Sequence, residues 1–223
     1  AVLPEGMTHL PDRAFQDRTS LVSVAFSRSL ASIGDCAFEG CSALTSVTLP
    51  AGLASISRHA FSECSSLASV TFPAGLTSIG MNAFADCDSL ASVTFPAGLT
   101  SIGNGAFEGC SALTSVTLPA GLASISRHAF SECSSLASVT FPASLTSIGE
   151  RAFSYLPPSA IKPSTAAARW SPSPSPPPSP PSAAAPSLAA PPSPAAGLTS
   201  IDHAAFNGCS ALARVTLPAG LTS

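Results

Sequence analysis

The hydrophobic positions of this chain recur with a period longer than that of a helix or a strand. An Ala-Phe pair returns every 23 residues. Its phenylalanines are Phe15, Phe38, Phe61, Phe84, Phe107, Phe130 and Phe153. An eighth, Phe206, lies 53 residues beyond Phe153, which is two periods plus 7, so an insertion has disturbed the phase. A fixed period of this length is the signature of a repeat architecture.

One unit of the pattern indicates its elements. Val47-Thr48-Leu49 alternates apolar and polar side chains and precedes Pro50, which predicts a short strand that the proline ends. Leu53 and Ile56 predict a second short extended segment or turn, and Ala60-Phe61 predicts a single helical or 3-10 turn. Strands one unit apart are expected to stack in parallel, about 4.8 Å from each other.

A single unit has too small a core to fold alone. Its few apolar side chains bury too little surface to offset the entropy lost in ordering 23 residues. Stacking on neighbouring units must supply the difference, which predicts a solenoid. The apolar positions are Leu44, Val47, Leu49, Leu53, Ile56, Ala60, Phe61 and Cys64.

The chain also carries a longer period, because residues 38–80 and 107–149 are the same except for Gly75 and Ser144. This pattern indicates duplication of a block of three units. The chain starts at Ala1 without a signal segment and stops partway through a unit. We therefore interpret the chain as a fragment.

The unit Leu-x-x-Val-x-Leu-Pro-x-x-Leu-x-x-Ile-(5)-Phe-x-x-Cys resembles the BspA-type leucine-rich repeat. The match covers about residues 1–156 and 198–223. The resemblance implies a right-handed superhelical solenoid with a parallel β-sheet on its concave face. It also implies surface adhesion or protein–protein contact, a cell-surface or extracellular location, and no catalytic residues. Arg18 and Leu156 depart from the pattern at the Cys position, and Ser27 departs at the Pro position.

Three regions follow from the pattern: repeats in 1–156, a low-complexity insert in 157–194, and a resumed, truncated repeat in 195–223. The insert holds 14 of the 22 prolines and is expected to be disordered. It is a passive linker, a translated intron or assembly artefact, or a functional rod, modified spacer or Pro-motif ligand. We expect Leu198–Ser223 either to dock near residues 139–156 or to be poorly ordered.

The low charge of the chain narrows the kinds of partner that it is expected to bind. Only 9% of the residues are charged, with 9 Lys plus Arg against 12 Asp plus Glu and a net charge of −3. A basic stripe for nucleic acid and a polybasic membrane anchor are both missing from this sequence. No run reaches the roughly 20 apolar residues of a membrane span. The expected partner is therefore a protein or surface ligand that the sequence does not identify.

The cysteines recur with the repeat, one in each unit. Disulfides need facing pairs and metal sites need short spacings, so these thiols are interpreted as small buried hydrophobic residues. Cys36 differs, since it occupies a variable turn position. The recurring cysteines are Cys41, Cys64, Cys87, Cys110 and Cys133, with Cys209 in the last copy.

The histidines and charged residues give no catalytic or cofactor pattern. His59 and its duplicate His128 are expected on a solvated face, and a Glu four residues on offers a pair across a helical turn. Neither a metal site nor an enzyme activity is predicted. Charged residues around the Ala-Phe pairs predict a solubilising ridge or a partner-contact rim, with Asp35, Glu39, Arg58, Glu63, Asp86, Glu108, Arg127, Glu132, Glu150 and Arg151.

Serine and threonine flank the inward valine of each predicted strand, so their hydroxyls form the candidate interaction face. We expect weak or multivalent protein binding, because the face lacks the Trp, Tyr and Arg that anchor tight interfaces. The alternative is an ice- or surface-binding face, since a regular Ser/Thr array resembles the Thr ranks of solenoid ice-binding proteins. The candidate residues are Ser46, Thr48, Ser69, Thr71, Ser92, Thr94, Ser115, Thr117, Ser138 and Thr140.

Overall fold

The computed structural model describes residues 1–155, 198–205 and 207–208 as a solenoid of stacked coils. Each of the coils between Ser46 and Ile148 contains a three-residue strand, a two-residue strand and a tight turn, whereas the first two coils have one strand each and isolated β-bridges in place of the other. Parallel pairing joins strands of adjacent coils, as the repeat predicts, and divides the strands of the described residues among five sheets. The expectations for Leu156, Phe206, Cys209 and the insert 157–194 concern residues outside this described part.

In chain order the strands are β1 (His9–Leu10), β2 (Ser32–Ile33), β3 (Ser46–Thr48), β4 (Ser55–Ile56), β5 (Ser69–Thr71), β6 (Ser78–Ile79), β7 (Ser92–Thr94), β8 (Ser101–Ile102), β9 (Ser115–Thr117), β10 (Ser124–Ile125), β11 (Ser138–Thr140), β12 (Ser147–Ile148) and β13 (Ser200–Ile201). Strands of two and three residues alternate from β2 to β12, and β1 and β13 have two residues each. The three-residue strands all read Ser-Val-Thr and pair in two sheets, β3 with β5 and β7 with β9 and β11; together they are called the Ser-Val-Thr ladder. The two-residue strands form the Ser-Ile ladder, although the first reads His-Leu. The five sheets are β1-β2, β3-β5, β4-β6-β8, β7-β9-β11 and β10-β12-β13.

Except in the β1–β2 pair, where His9 lies opposite Ser32 and Leu10 opposite Ile33, the register of the paired strands places identical residues side by side. Val47 pairs with Val70, and Val93 pairs with Val116, so the valines point together into the core. Because side chains alternate along a strand, a slip of one residue would turn every valine to solvent. Burial of the central valine therefore fixes the register, and Val47 is only 2% exposed.

Phenylalanine forms the central column of the core. From Phe15 to Phe153, consecutive rings of the Ala-Phe pairs stack with centroids 5.0–5.4 Å apart and planes within 2–6° of parallel. A second set packs edge-on against this column, with Phe72 against Phe84 at 5.7 Å and Phe95 against Phe107 at 5.6 Å. The rings thus connect neighbouring coils along the length of the stack.

The turn that carries Ala60-Phe61 corrects the expectation of a helical or 3-10 turn, because the described residues contain only strands and turns. His59 and Glu63 bracket the turn with left-handed backbone, at φ values of 53° and 59°. A left-handed residue interrupts helix propagation. The Phe61 N–H donates to the Ala83 carbonyl of the next coil at 2.8 Å, instead of to a residue four positions back.

The chain resumes the stack directly after the insert. β13 pairs with β12 in register, Ser147 opposite Ser200 and Ile148 opposite Ile201. Paired residues of these two coils are 53 positions apart, which is one period of 23 plus thirty residues. The resumed coil therefore stacks directly on the coil that precedes the insert. Docking near residues 139–156 is thus confirmed for the described part of Leu198–Ser223.

Candidate interaction face

The three-residue strands place a serine and a threonine on the surface on either side of each buried valine. Ser46 and Thr48 are exposed, whereas Val47 is buried. Four of the five strands repeat this pattern, and in β11 Ser138 is half-buried. The structure therefore brings the candidate interaction face together as two parallel ranks, Ser46, Ser69, Ser92, Ser115 and Ser138 beside Thr48, Thr71, Thr94, Thr117 and Thr140.

The hydroxyls of these two ranks have no hydrogen-bond partner within the described part of the protein. Threonines elsewhere in the coil behave differently, because their hydroxyls donate to the preceding coil. Thr77 Oγ1 donates to the Ala54 carbonyl at 3.0 Å, and Thr146 Oγ1 donates to the Ala123 carbonyl at 2.9 Å. The two ranks consequently present unused donors and acceptors to solvent or to a ligand.

The candidate interaction face carries no charge of its own, since its ten positions are serines and threonines, and ion pairs between coils lie on the charged flank, next to the Ala-Phe turns. On that flank Arg58 Nε lies 3.0 Å from Asp35 Oδ2, and Arg127 Nε lies 3.4 Å from Glu150 Oε2. The duplicated arginines thus pair in opposite directions, one with the preceding coil and one with the following coil. Four residues of the predicted charged ridge, Asp35, Arg58, Arg127 and Glu150, therefore pair between coils.

The histidines pair between coils, which differs from the predicted pair across a helical turn. His59 Nδ1 lies 3.9 Å from Glu39 Oε1, and His128 Nδ1 lies 3.5 Å from Glu108 Oε1. Both rings are half-buried. The left-handed backbone at His59 removes the helical spacing, so the imidazole meets the preceding coil instead of Glu63.

The repeated cysteines form a buried column, as the pattern predicts. Cys64 Sγ donates to the Phe38 carbonyl at 3.2 Å, and the bond recurs in the following coils. Burial raises the pKa of the Cys64 thiol to about 12, which disfavours the reactive thiolate. Cys36 is half-buried and lies in the left-handed position before its Ala-Phe pair.

The described residues contain no group of three or more His, Cys, Asp or Glu side chains placed to bind a metal ion. None of the described segments is a helix with the length and apolar character that a bilayer crossing requires.

Sequence reasoning missed the two left-handed positions of each turn, although a signal was present. The residue two places after the phenylalanine is Glu63 in one coil and Gly40 or Gly109 in others, with φ values of 59°, 69° and 71°. Glycine in some copies indicates a backbone conformation that glycine adopts most readily. A comparison of the residues at the equivalent position of every repeat would have identified this left-handed position.

Comparison with known proteins places this geometry in a family. The model of the BspA type leucine-rich repeat region, with 6 copies, matches residues 1–114, 64–162 and 192–223. A leucine-rich repeat protein of T. pallidum is 34% identical, with a TM-score of 0.65, over 70% of this chain and 75% of that one. A leucine-rich repeat protein from Bacteroides ovatus is 29% identical, with a TM-score of 0.63, over 70% of this chain and 49% of that one.

A more distant likeness confirms the fold alone. A leucine-rich repeat protein from Eubacterium ventriosum, 18% identical, aligns over 99% of this chain and 61% of its own length with a TM-score of 0.65. No curated protein is similar enough to count as a match. The repeats, the ladders and the matching model together show that the chain belongs to the BspA-type leucine-rich repeat family.

Proposed function

We propose that the chain is a non-enzymatic interaction or adhesion module that binds through its candidate interaction face. The leucine-rich repeat family is typically a protein-binding or surface module, which supports this class of function. The observation that carries the proposal is the set of ten unbonded hydroxyls on five uncharged strands, which pair in register within two sheets, β3 with β5 and β7 with β9 and β11. A cell-surface location is part of the proposal.

The proposed binding mode is weak at each coil and multivalent along the stack. A single Ser-Val-Thr strand offers two hydroxyls and no aromatic or guanidinium group, so its contact is weak. The next strand repeats the same contact about 4.8 Å away. A partner that spans several strands therefore gains avidity without any additional kind of contact.

A set of lysine substitutions tests this face. Thr71→Lys/Thr94→Lys/Thr117→Lys puts three charges on the candidate interaction face, and Ser78→Lys/Ser101→Lys/Ser124→Lys puts them on the Ser-Ile ladder. Wild-type chain and both variants are immobilised and exposed to extracellular-matrix or host-cell extracts. We expect bound material to be lost on the face variant and retained on the ladder variant, with all three chains still folded by circular dichroism.

Equal retention on both variants would contradict the proposal. Thermal hysteresis of the same three chains tests the ice-binding alternative, which predicts activity in the wild type and in the ladder variant only. Reproducible hydrolytic or transfer activity of the purified wild-type chain would favour an enzyme instead.

A further inference from the structure

The candidate interaction face is interrupted in its middle, between β5 and β7. β3 pairs with β5, and β7 pairs with β9 and β11, but β5 and β7 belong to different sheets. The two coils concerned remain joined on another side, because β6 pairs with β8. The coils are therefore separated on the side of the candidate interaction face only.

A missing backbone hydrogen bond marks the interruption. Before the other four Ser-Val-Thr strands, the preceding residue donates its N–H to the coil before it. The Ala68 N–H, for example, donates to the Thr45 carbonyl at 2.9 Å. The Ala137 N–H donates to the Thr114 carbonyl, also at 2.9 Å. Ala91 holds the same position before β7, and its N–H has no hydrogen-bond partner among the described residues.

The inward valines on the two sides of the interruption show the same separation independently. Val70 is 8% exposed and Val93 is 7% exposed. The valines of β3, β9 and β11 are only 0–2% exposed. Solvent therefore reaches further toward the core between β5 and β7 than it does beside the other strands.

Two neighbouring phenylalanines explain why the strands separate at this boundary. The residues that follow β3, β5, β7, β9 and β11 are, in order, Leu49, Phe72, Phe95, Leu118 and Phe141. Of these, only Phe72 and Phe95 place two rings on adjacent coils, and the rings stack with centroids 5.9 Å apart. The central column stacks at 5.0–5.4 Å while its coils stay hydrogen-bonded. The wider ring spacing thus holds the strands beyond hydrogen-bond distance.

The opposite side of the same two coils is held closed. The Thr100 N–H donates to the Thr77 carbonyl at 2.9 Å. The Gly103 N–H donates to the Ile79 carbonyl at 2.8 Å. One side of the boundary is therefore tied by hydrogen bonds while the other lacks them, which is the arrangement of a hinge.

We propose that the boundary between β5 and β7 is a hinge that divides the candidate interaction face into two units. One unit contains β3 and β5, and the other contains β7, β9 and β11. Each unit keeps its own strand pairing, and the angle between the units changes as the gap widens or narrows about the β6–β8 side.

The hinge limits how a partner engages the face, a consequence that rests on the proposed function. A partner on one unit meets four or six of the ten hydroxyls. A partner that gains the avidity of all ten must bridge both units and follow the angle between them. A flexible polypeptide segment meets that requirement, whereas a rigid flat surface fits one angle only.

Hydrogen exchange of backbone amides tests the hinge in the wild-type chain without any ligand. Ala68, Ala91 and Ala137 each lie between a leucine and a serine, so their intrinsic exchange rates are alike. We expect the Ala91 amide to be protected at least about tenfold less than the other two, because it can exchange without opening the ladder. Equal protection of Ala91 and Ala68 would overturn the proposal.

Two matched variants test the cause of the separation. Phe95→Leu places a leucine beside Phe72, as at the boundaries where the strands pair, and Phe141→Leu is the control. Both replaced rings pack edge-on against the central column at 5.6 Å, so the substitutions remove similar contacts. We expect Phe95→Leu to raise the protection of Ala91 about tenfold and Phe141→Leu to leave it unchanged. An equal response of Ala91 to both variants would overturn the role of the phenylalanine pair.

The wild-type comparison decides the hinge even if a variant fails to fold, as circular dichroism would show. The lysine variants of the proposed function give a separate outcome. Binding lost on the face variant, with Ala91 as protected as Ala68, would mean that the face binds as one rigid surface. Binding retained on the face variant, with Ala91 poorly protected, would support the hinge and reject the binding role of the face.

Discussion

At the scale of single residues, contacts with the adjacent coil determine what each repeated position can do. The buried thiol of Cys133 donates to the Phe107 carbonyl at 3.2 Å, and burial raises its pKa to about 12. Such a thiol is almost entirely protonated at neutral pH, and only the thiolate is a good nucleophile. The buried cysteine of each coil is therefore unreactive while the coil is folded.

Thiol labelling measures this low reactivity directly. In a chain with Cys209→Ser, which leaves only cysteines of the described part, we expect a maleimide at neutral pH to modify Cys36 first. The five column cysteines should react only after denaturant unfolds the chain, as mass spectrometry of digests would show. A chain that also carries Cys36→Ser should stay unlabelled while native. Labelling of Cys64 or Cys87 at the rate of Cys36 would contradict the burial of the column.

At the scale of elements, the approach of one coil to the next limits side-chain size between the short strand and the turn. Gly103 follows β8, and a Cβ built there would lie 2.6 Å from the carbonyl carbon of Gly80 in the preceding coil. Gly98, in the turn before β8, has no atom of another coil nearer than 3.6 Å to its built Cβ. The two glycines thus have different roles within one coil.

An alanine at each glycine separates these roles. We expect Gly103→Ala to lower the free energy of unfolding by about 1–3 kcal/mol, because the backbones must move apart. Gly98→Ala should be neutral or stabilise by about 0.4–1 kcal/mol, since alanine restricts the unfolded chain. Urea denaturation of both variants gives the values, and equal destabilisation would argue against the close approach.

The elements also show how far the sequence predicted the structure. Val47 and Thr48 established the inward and outward faces of their strand, because alternation and the repeat allow one register only. The pairing of His59 with Glu39 was not predictable from sequence spacing, since it depends on how a left-handed turn stacks on its neighbour. The predicted helical turn was wrong for the same reason. The Ser-Val-Thr face was predicted as a surface, and its role in binding remains a prediction.

At the scale of the whole molecule, the insert interrupts the chain but not the stack. β12 and β13 pair in the same register as strands one period apart, although 53 residues separate them. Every described coil packs on its sequence neighbour, as in other repeat proteins. The segment of chain that connects two coils can therefore be long without changing the interface between those coils.

A deletion of residues 164–193 tests this tolerance, because it removes thirty residues and restores the period of 23. We expect the shortened chain to fold with the same circular dichroism spectrum. Its free energy of unfolding should rise by less than about 1 kcal/mol, since loop-closure entropy depends only on the logarithm of length. A loss of several kcal/mol would mean that the deleted residues contribute contacts to the folded stack.

Stacking between sequence neighbours gives the molecule a mechanical property. Tension applied at the two ends separates the last coil from its neighbour first, because no distant part of the chain holds it in place. Each coil that detaches releases 23 residues, which extend by roughly 70–80 Å. The solenoid therefore unfolds one coil at a time and lengthens greatly before it is fully unfolded. Each coil that detaches absorbs part of the work done by the applied force.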